Sequence, residues 1–383
     1  MIQSFITSIE DPQRPLLGPN YWILKKMGLV LSKNLLNKAF YIIVHEIVTV
    51  FVITQYIEAY VIKSDLDQVL TNLKISMLSI VCVVKANTFV FWQHSWGEVI
   101  EYVTQADKYE REDTNVEKTQ ILDSYTEYCR RVIRFYWTLV FITFISVIST
   151  PLIKYLSSQE AFNNGTELFP HIFSSWVPFD KYSFPGNWIT VICHVLFCAY
   201  GGGIMAAYDT IIIVIMVFFG GKLQLLRERC KAIFSCNGLT VSDEQAYRTI
   251  RELHKTHVLL MKYSRLFNSL LSPVMFLYVV MCSLMLCASA FQLTTETNTT
   301  QKVLMAEYLI FGVAQLFMFC WHSNDVLVKN QQVTLGPYES EWWKMDFRQR
   351  KNILILAGQL KIVHTYTAGP FTELTLSTFV TVY

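Results

Sequence analysis

Several ionisable side chains lie inside long apolar stretches of this sequence, where a charge is costly and usually serves a purpose. Most of them lie within a few helical turns of the end of a stretch, which favours snorkelling or pairing with a neighbour over ion conduction. Asp209 lies deeper, and we expect a structural role for it. The set comprises His45, Glu46, Glu58, Lys74, Lys85, His194, Asp209 and Glu307.

Groupings that would bind a metal or perform catalysis are not evident. His254 and His257 have the spacing of a ligand pair, but they lie in a charged segment without a third ligand. None of the nine cysteines forms a Cys-x-x-Cys pair, and a free Cys in an apolar stretch behaves as a small hydrophobe. An intramembrane enzyme would need a cluster of such groups at one depth. We therefore predict no enzyme activity, no metal and no cofactor.

Three consecutive glycines, Gly201 to Gly203, interrupt the fourth apolar stretch. They could kink a helix and shape a cavity beside Tyr200. They could equally allow close approach of a neighbouring helix. The sequence leaves both explanations open.

Composition indicates a membrane protein. The chain has 383 residues, of which 52% are hydrophobic and only 16% charged, with a mean hydropathy of +0.33. Soluble domains have about 25% charged residues. A net charge of only +2 argues against a nucleic-acid partner, whereas membrane lipid is an expected one.

Apolar stretches of about 20 residues are long enough to cross a bilayer. They predict an all-α membrane protein with seven transmembrane helices. The predicted spans are Ala39–Ile62, Val69–Trp92, Ile133–Tyr155, Trp188–Gly221, Leu266–Leu293, Val303–Val328 and Phe371–Tyr383. An amphipathic helix is predicted over Trp342–Thr365.

The distribution of Lys and Arg predicts a cytoplasmic N-terminus and an extracellular C-terminus. These residues are concentrated in alternate connecting segments, and the other loops hold only Lys63, Lys154, Lys181 and Lys302. Glycosylation sequons at Asn164 and Asn298 fall in the loops that this topology places outside. The topology is the reverse of that of a G-protein-coupled receptor.

The last third of the chain resembles the C-terminal signature of insect odorant receptors. The resemblance rests on segments Gln315 to Cys320, Trp342-Trp343, Arg348 to Lys351, Ile353 to Leu356, Ala368 to Phe371 and Leu374 to Phe379. In the fourth span, Tyr208-Asp209-Thr210, Gly220-Gly221 and Gln224-Leu225 agree with it.

This resemblance implies a ligand-gated, non-selective cation channel in the plasma membrane of a sensory neuron dendrite. An odour-tuned subunit of that family forms a heterotetramer with a shared co-receptor and binds a small volatile hydrophobic ligand. The inner segment Lys222–Arg265 is shorter than the co-receptor's, which indicates a tuning subunit. A gustatory receptor of the same architecture is the alternative. A transporter should show internal repeats with broken helices, and none is evident.

The resemblance also implies a division of the chain. Residues 1–38 form a cytoplasmic segment, residues 39–328 hold spans one to six with a ligand pocket in their outer half, residues 329–367 form a cytoplasmic anchor helix, and residues 368–383 begin the pore-lining seventh span. Since 13 residues of helix reach only about 20 Å, we expect the natural chain to continue beyond Tyr383.

Candidate ligand-binding residues lie in the outer halves of spans two to six, where apolar and aromatic side chains suit a volatile ligand. Ordinary helix packing is the alternative explanation for each. They are Leu73, Met77, Ile80, Phe144, Val147, Thr150, Ile192, Phe197, Tyr200, Tyr278, Met281, Met305, Tyr308 and Phe311.

Candidate pore-lining residues lie at the start of the seventh span. Faces that carry hydroxyl groups suit a hydrated lumen. Glu373 near the inner mouth could concentrate cations. The set is Glu373, Leu374, Thr375, Ser377, Thr378, Thr381 and Val382.

Overall fold

The computed structural model describes residues 11–32, 34–63, 66–112, 116–157, 169–236, 239–240, 242–295 and 299–382. Both predicted glycosylation sites, Asn164 and Asn298, lie outside these ranges.

The described chain is mainly helical. Its helices are α1 (Gly18–Lys26), α2 (Leu35–Val61), α3 (Leu66–Phe91), α4 (Gln93–Arg111), α5 (Val116–Ser157), α6 (Gly186–Lys231), α7 (Asp243–Thr295), α8 (Thr299–Val333), α9 (Leu335–Glu339), a 3₁₀ turn (Trp342–Lys344), α10 (Phe347–Leu360) and α11 (Leu376–Val382). Two short antiparallel hairpins pair β1 (Ser235–Cys236) with β2 (Leu239–Thr240) and β3 (Thr367–Ala368) with β4 (Thr372–Glu373).

The predicted spans one to six correspond to α2, α3, α5, α6, α7 and α8 in that order, and the first two end one residue beyond α2 and α3. Within the described residues, α2, α5, α6 and α7 are long and apolar enough to cross a membrane. The pair formed by α3 and α4, bent by 81°, adds a fifth candidate. We refer to the end of the bundle where α3 meets α4 as the inner end, because the sequence predicts that it is cytoplasmic.

Local sequence determines where the first helices begin and end. Gly28 follows α1 with a φ of +70°, a conformation that favours glycine, and the amide of Leu29 donates to the carbonyl of Leu24 at 2.9 Å. Asn34 then caps α2, because its side chain accepts a hydrogen bond from the amide of Leu36 at 3.1 Å.

Helix α6 is the centre of the bundle. Every residue from Gly203 to Leu223 is buried. Of its most apolar 18 residues 94% are buried, against at most 33% in α2, α5 and α7. A helix that is apolar on all sides needs protein on all sides, and α6 packs against α1, α3, α5, α7, α8 and α9.

The C-terminal region differs from the sequence prediction. The amphipathic helix is shorter than Trp342–Thr365, because α10 ends at Leu360. The seventh helix begins at Leu376 rather than Phe371, because β3 and β4 pair around Gly369, which has a φ of +70°. The amide of Gly369 donates to the carbonyl of Ser272 at 3.1 Å and so attaches the hairpin to α7.

Ion pairs join helices at the inner end. Glu110 on α4 lies 2.5 Å from both Lys222 and Arg229 on α6. Glu339 on α9 accepts from Arg227 at 2.6 Å and lies 3.0 Å from Lys231. Because Glu110 is buried, its two cations compensate for the loss of its hydration.

His257 is a buried weak point at this end. Its side chain is fully buried on the inner part of α7, and neither ring nitrogen has a hydrogen-bond partner among the described residues. Burial, and then the neighbouring His254, lower the pKa of His257 from 6.5 to about 4. Protonation of this ring therefore opposes folding.

We predict that the thermal stability of the protein falls as pH drops from about 6.5 to 4. In this range His257 binds a proton in the unfolded chain but stays neutral in the folded one. The contribution is about 3 kcal/mol at most. His257→Leu should remove this part of the pH dependence, measured as the melting temperature of the purified protein in detergent. His94→Leu, at an exposed position of α4, is the control. Equal pH profiles for wild type and His257→Leu would contradict the assignment.

Candidate ligand-binding site and buried polar network

Three of the predicted ligand-binding residues lie together between α2, α3 and α6. Ile80, Phe197 and Tyr200 pack on a small core of valines from α2 and α3. The ring of Phe197 stacks on that of Phe51 with centroids 4.2 Å apart. The hydroxyl of Tyr200 donates to the carbonyl of Met27 at 3.0 Å, which provides a polar group at the edge of this apolar cluster.

A second group lies between α7 and α8. Tyr278 and Phe311 are buried, and the Tyr278 hydroxyl donates to the carbonyl of Gly312 at 3.2 Å. Met77 on α3 is a member of the main core, and Leu73 and Met281 pack against it. The structure thus places Ile80, Phe197 and Tyr200 in one small apolar group, while Leu73, Met77, Tyr278 and Met281 lie in or against the main core.

The remaining candidates are not brought into either group. Ile192 is 58% exposed and lies on the outside of the chain, whereas its neighbours Val191 and His194 are buried. Phe144 and Val147 are half-buried on α5. The side chains of Thr150, Met305 and Tyr308 lie outside the described part of the structure.

A small cavity of about 70 Å³ lies at the outer end between α5, α6 and the segment before α6. Among the side chains that the structure describes, none of the predicted ligand-binding residues lines it. Its walls include Ile148, Leu152, Tyr155, Trp188, Val191 and Val195.

The segment between α5 and α6 covers the outer end. The amide of Trp176 donates to the carbonyl of Thr54 on α2 at 3.2 Å. Lys181 forms an ion pair with Glu58 at 2.7 Å and donates to the carbonyl of Ser175. The Ser175 hydroxyl lies 2.9 Å from Nε2 of His194 on α6. These contacts hold the segment over α2 and α6.

The predicted pore-lining residues have mixed environments. Leu374 is 1% exposed and packs in the main core, so it faces protein and not a lumen in this conformation. Thr375 and Thr378 share a hydrogen bond of 3.1 Å, and Thr381 donates to the carbonyls of Ser377 and Thr378. Glu373 lies on β4 before the helix and is exposed, and the side chain of Val382 lies outside the description.

The triple glycine of α6 allows close packing. A Cβ on Gly201 would lie 3.6 Å from Sγ of Cys82 on α3, and one on Gly203 would lie 3.0 Å from Cε of Met27. The thiol of Cys82 donates to the carbonyl of Gly201 at 3.4 Å. Helix α6 is unbroken through these glycines, so the structure favours close approach of neighbours over a kink.

The sequence analysis did not predict that Lys85 and Asp209 pair with each other. Nζ of Lys85 on α3 lies 2.6 Å from Oδ1 of Asp209 on α6, and both side chains are fully buried. Oδ2 of Asp209 accepts from the Tyr136 hydroxyl of α5 and from the Gln315 amide of α8, each at 2.5 Å. The signal was present as Lys85 inside span two and Asp209 inside span four.

Aromatic rings enclose the Lys85 ammonium. Its Nζ lies 5.1 Å from the ring centroid of Tyr278, 5.4 Å from that of Tyr208 and 5.8 Å from that of Phe319. Such cation–π contacts replace part of the lost hydration. Tyr278, a predicted ligand-binding residue, therefore contacts the polar network and α8 at once.

We predict that Lys85→Met destabilises the folded protein by about 3–5 kcal/mol, because it leaves the buried Asp209 carboxylate without its cation. Asp209→Asn added to Lys85→Met should cost less than the sum of the two single changes, since the pair is removed together. Unfolding of the purified protein in detergent measures both effects. Arg248→Met, which breaks an exposed pair with Glu244, is the control and should cost about 0.5 kcal/mol or less. If Lys85→Met lowers the free energy of unfolding no more than this control does, the buried ion pair is not the stabilising contact described here.

Within the described residues, no three His, Cys, Asp or Glu side chains lie close enough to hold a metal ion. The chemistry of the site is thus that of apolar contact, hydroxyl groups and one buried ion pair.

Comparison with known proteins agrees with this architecture. The family model described as 7tm Odorant receptor matches residues 65–383. Odorant receptor 10 of Aedes albopictus is 28% identical over 137 residues, which cover 36% of each chain. Odorant receptor Or2 of Anopheles gambiae is 23% identical over 162 residues, covering 41% of this chain and 43% of that protein. Each alignment thus spans less than half of the relative's length.

Solved structures share the fold over the whole chain. The insect olfactory receptor OR5 from Machilis hrabei superimposes with a TM-score of 0.81 at 16% identity, covering 100% of this chain and 95% of that one. The same receptor in complex with eugenol gives a TM-score of 0.78, with 94% of each chain covered. The fold and the family match over most of the chain agree, and this membrane protein belongs to the insect odorant receptor family.

Proposed function

We propose that the chain is the odorant-sensing subunit of a heteromeric, ligand-gated, non-selective cation channel. Its ligand is a small volatile hydrophobic molecule, and its partner is the odorant receptor co-receptor in a tetramer. It acts in the plasma membrane of a sensory neuron dendrite. The observation that carries this proposal is the odorant receptor family match over residues 65–383.

The two apolar groups around Tyr200 and Tyr278 support an odorant site. They combine aromatic and Met side chains with few polar groups, as pockets for small hydrophobic ligands do. The similar receptor from Machilis hrabei was solved with eugenol bound, which supports a small odorant as the class of ligand here.

A path of contacts links this site to the proposed pore helix. The Tyr278 hydroxyl of α7 donates a hydrogen bond to the carbonyl of Gly312 on α8. Further along α8, the ring of Phe317 contacts that of Phe379 on α11, with centroids 5.4 Å apart. A ligand that displaces α7 and α8 would therefore move α11. In this proposal that motion widens the pore lined by Thr375, Ser377, Thr378 and Thr381.

The exposed apolar face of α10 at the inner end is suited to contacts with another subunit. Helix α10 buries Ile353, Leu356 and Leu360 against the chain, while Leu354 and Ile355 are 72% and 59% exposed. A helix with a second, unburied apolar face suits packing against another subunit. We assign residues 329–367 to the cytoplasmic anchor, residues 1–38 to the cytoplasmic N-terminal segment, and the pocket to the outer half of residues 39–328.

The first test is electrical. The chain is expressed in cells with and without the co-receptor, and currents are recorded over a chemically broad odour panel. We expect odour-evoked currents only when both subunits are present, carried by Na⁺ and K⁺ alike in ion-substitution experiments. Currents from this chain alone would contradict the heteromeric proposal. Strong selectivity for one cation would contradict the non-selective pore.

A second test examines the pocket. Met281→Ala removes apolar contact beside Tyr278, and we expect the half-maximal odour concentration to rise roughly 10-fold or more, consistent with about 1–3 kcal/mol of lost binding. Ile192→Ala is the matched control, because this side chain is exposed on the outside of α6. Equal responses of the two variants, at matched surface expression, would argue against a site at α7 and α8.

A further inference from the structure

The carboxylate of Glu307 lies between α8 and α5, in the half of the bundle that the sequence predicts to be outer. The Ser146 hydroxyl of α5 donates to its Oε2. Its Oε1 is buried and, among the described residues, has no hydrogen-bond partner. A buried acceptor that has left water without finding a donor is unfavourable, and more so when it carries charge. This site therefore lacks one hydrogen-bond donor.

Glu307 also has no counter-charge in the part of the chain that the structure describes. Lys302, the nearest cation along α8, is neither three nor four residues away, so it does not share the face of Glu307. Other carboxylates of the bundle with little exposure do pair with cations. These pairs are Asp209 with Lys85, Glu58 with Lys181, and Glu110 with Lys222 and Arg229.

The side chains near Glu307 suit a small organic molecule. Ser146 shares its face of α5 with Thr143 and Val147, because these positions are three or four residues apart, and Val147 is half-buried. On α8, Phe311 is one turn from Glu307 on the same face and is buried. Val147 and Phe311 are both predicted ligand-binding residues. The carboxylate therefore lies at the edge of the proposed odorant site.

The missing donor and the missing positive charge together indicate an ammonium group. A metal ion needs several ligands, and the described residues bring no three His, Cys, Asp or Glu side chains together. A neutral alcohol would supply the donor without the charge. A simple alkylamine ionises like a lysine side chain, with a pKa of about 10.4, and is therefore charged at neutral pH. It supplies the donor and the charge at one end and apolar carbon at the other.

We propose that the odorant of this chain is a small volatile amine whose ammonium group binds the Glu307 carboxylate. The ammonium donates a charge-assisted hydrogen bond to Oε1, and the carbon chain of the amine contacts Val147 and Phe311. This inference rests on the proposed odorant-sensing function and names the chemical class of its ligand.

The test compares hexylamine with hexanol, a neutral molecule of the same length, on the full chain expressed with the co-receptor. We expect the half-maximal concentration to be roughly 10-fold or more lower for hexylamine. Glu307→Gln removes the charge and keeps the shape of the side chain, and it should abolish this preference. Glu307→Asp keeps the charge and should retain the preference, which separates loss of charge from loss of folding. Glu46→Gln, which removes an exposed carboxylate of α2, is the matched control and should behave like wild type.

A binding measurement keeps this inference separate from the channel proposal. At fixed pH, hexylamine should raise the melting temperature of the purified chain in detergent more than hexanol does, because a ligand that binds only the folded state stabilises it. This difference should vanish in Glu307→Gln and persist in Glu46→Gln. Stabilisation by hexylamine without any odour-evoked current would contradict the channel proposal alone. Equal effects of the two compounds on wild type, or a preference for hexylamine that survives in Glu307→Gln, would overturn the amine assignment.

Discussion

One buried ion pair sets the arrangement of the bundle. Lys85 and Asp209 are both fully buried, and an uncompensated charge at that depth would be prohibitively costly. Asp209 therefore needs Lys85, Tyr136 and Gln315 at hydrogen-bond distance. These partners come from α3, α5 and α8, so satisfying one carboxylate fixes three helices around α6.

The same point in the bundle links packing to function. Tyr278 touches the Lys85 ammonium through its ring and α8 through its hydroxyl. In the mechanism proposed above, a ligand beside Tyr278 would act on side chains whose positions are constrained by the buried ion pair. Because that network has little freedom to deform locally, the displacement would pass to whole helices and, through Phe317 and Phe379, to α11.

The sequence predicted the parts of the fold that depend on composition along the chain. Apolar runs identified the six helices that hold spans one to six, although α5, α6 and α7 extend well beyond the predicted bounds, and the motifs after Gln315 identified the family. It did not predict the hairpin of Thr367–Ala368 with Thr372–Glu373, because turn pairing depends on contacts with α7 that are distant in sequence. The sequence also did not predict which way each helix face is turned. Ile192 and Leu374 have side chains suited to a ligand pocket and a pore, yet Ile192 faces outward and Leu374 faces the core.

The complete enclosure of α6 has a consequence for how such a receptor can diversify. From Gly203 to Leu223 each side chain is in contact with protein on every side, so a change there disturbs several neighbours at once. Peripheral helices such as α2 and α5 have partly open faces and absorb substitutions at lower cost. Substitutions are therefore tolerated most readily on those outer helices, while the middle of α6 has the least freedom to change.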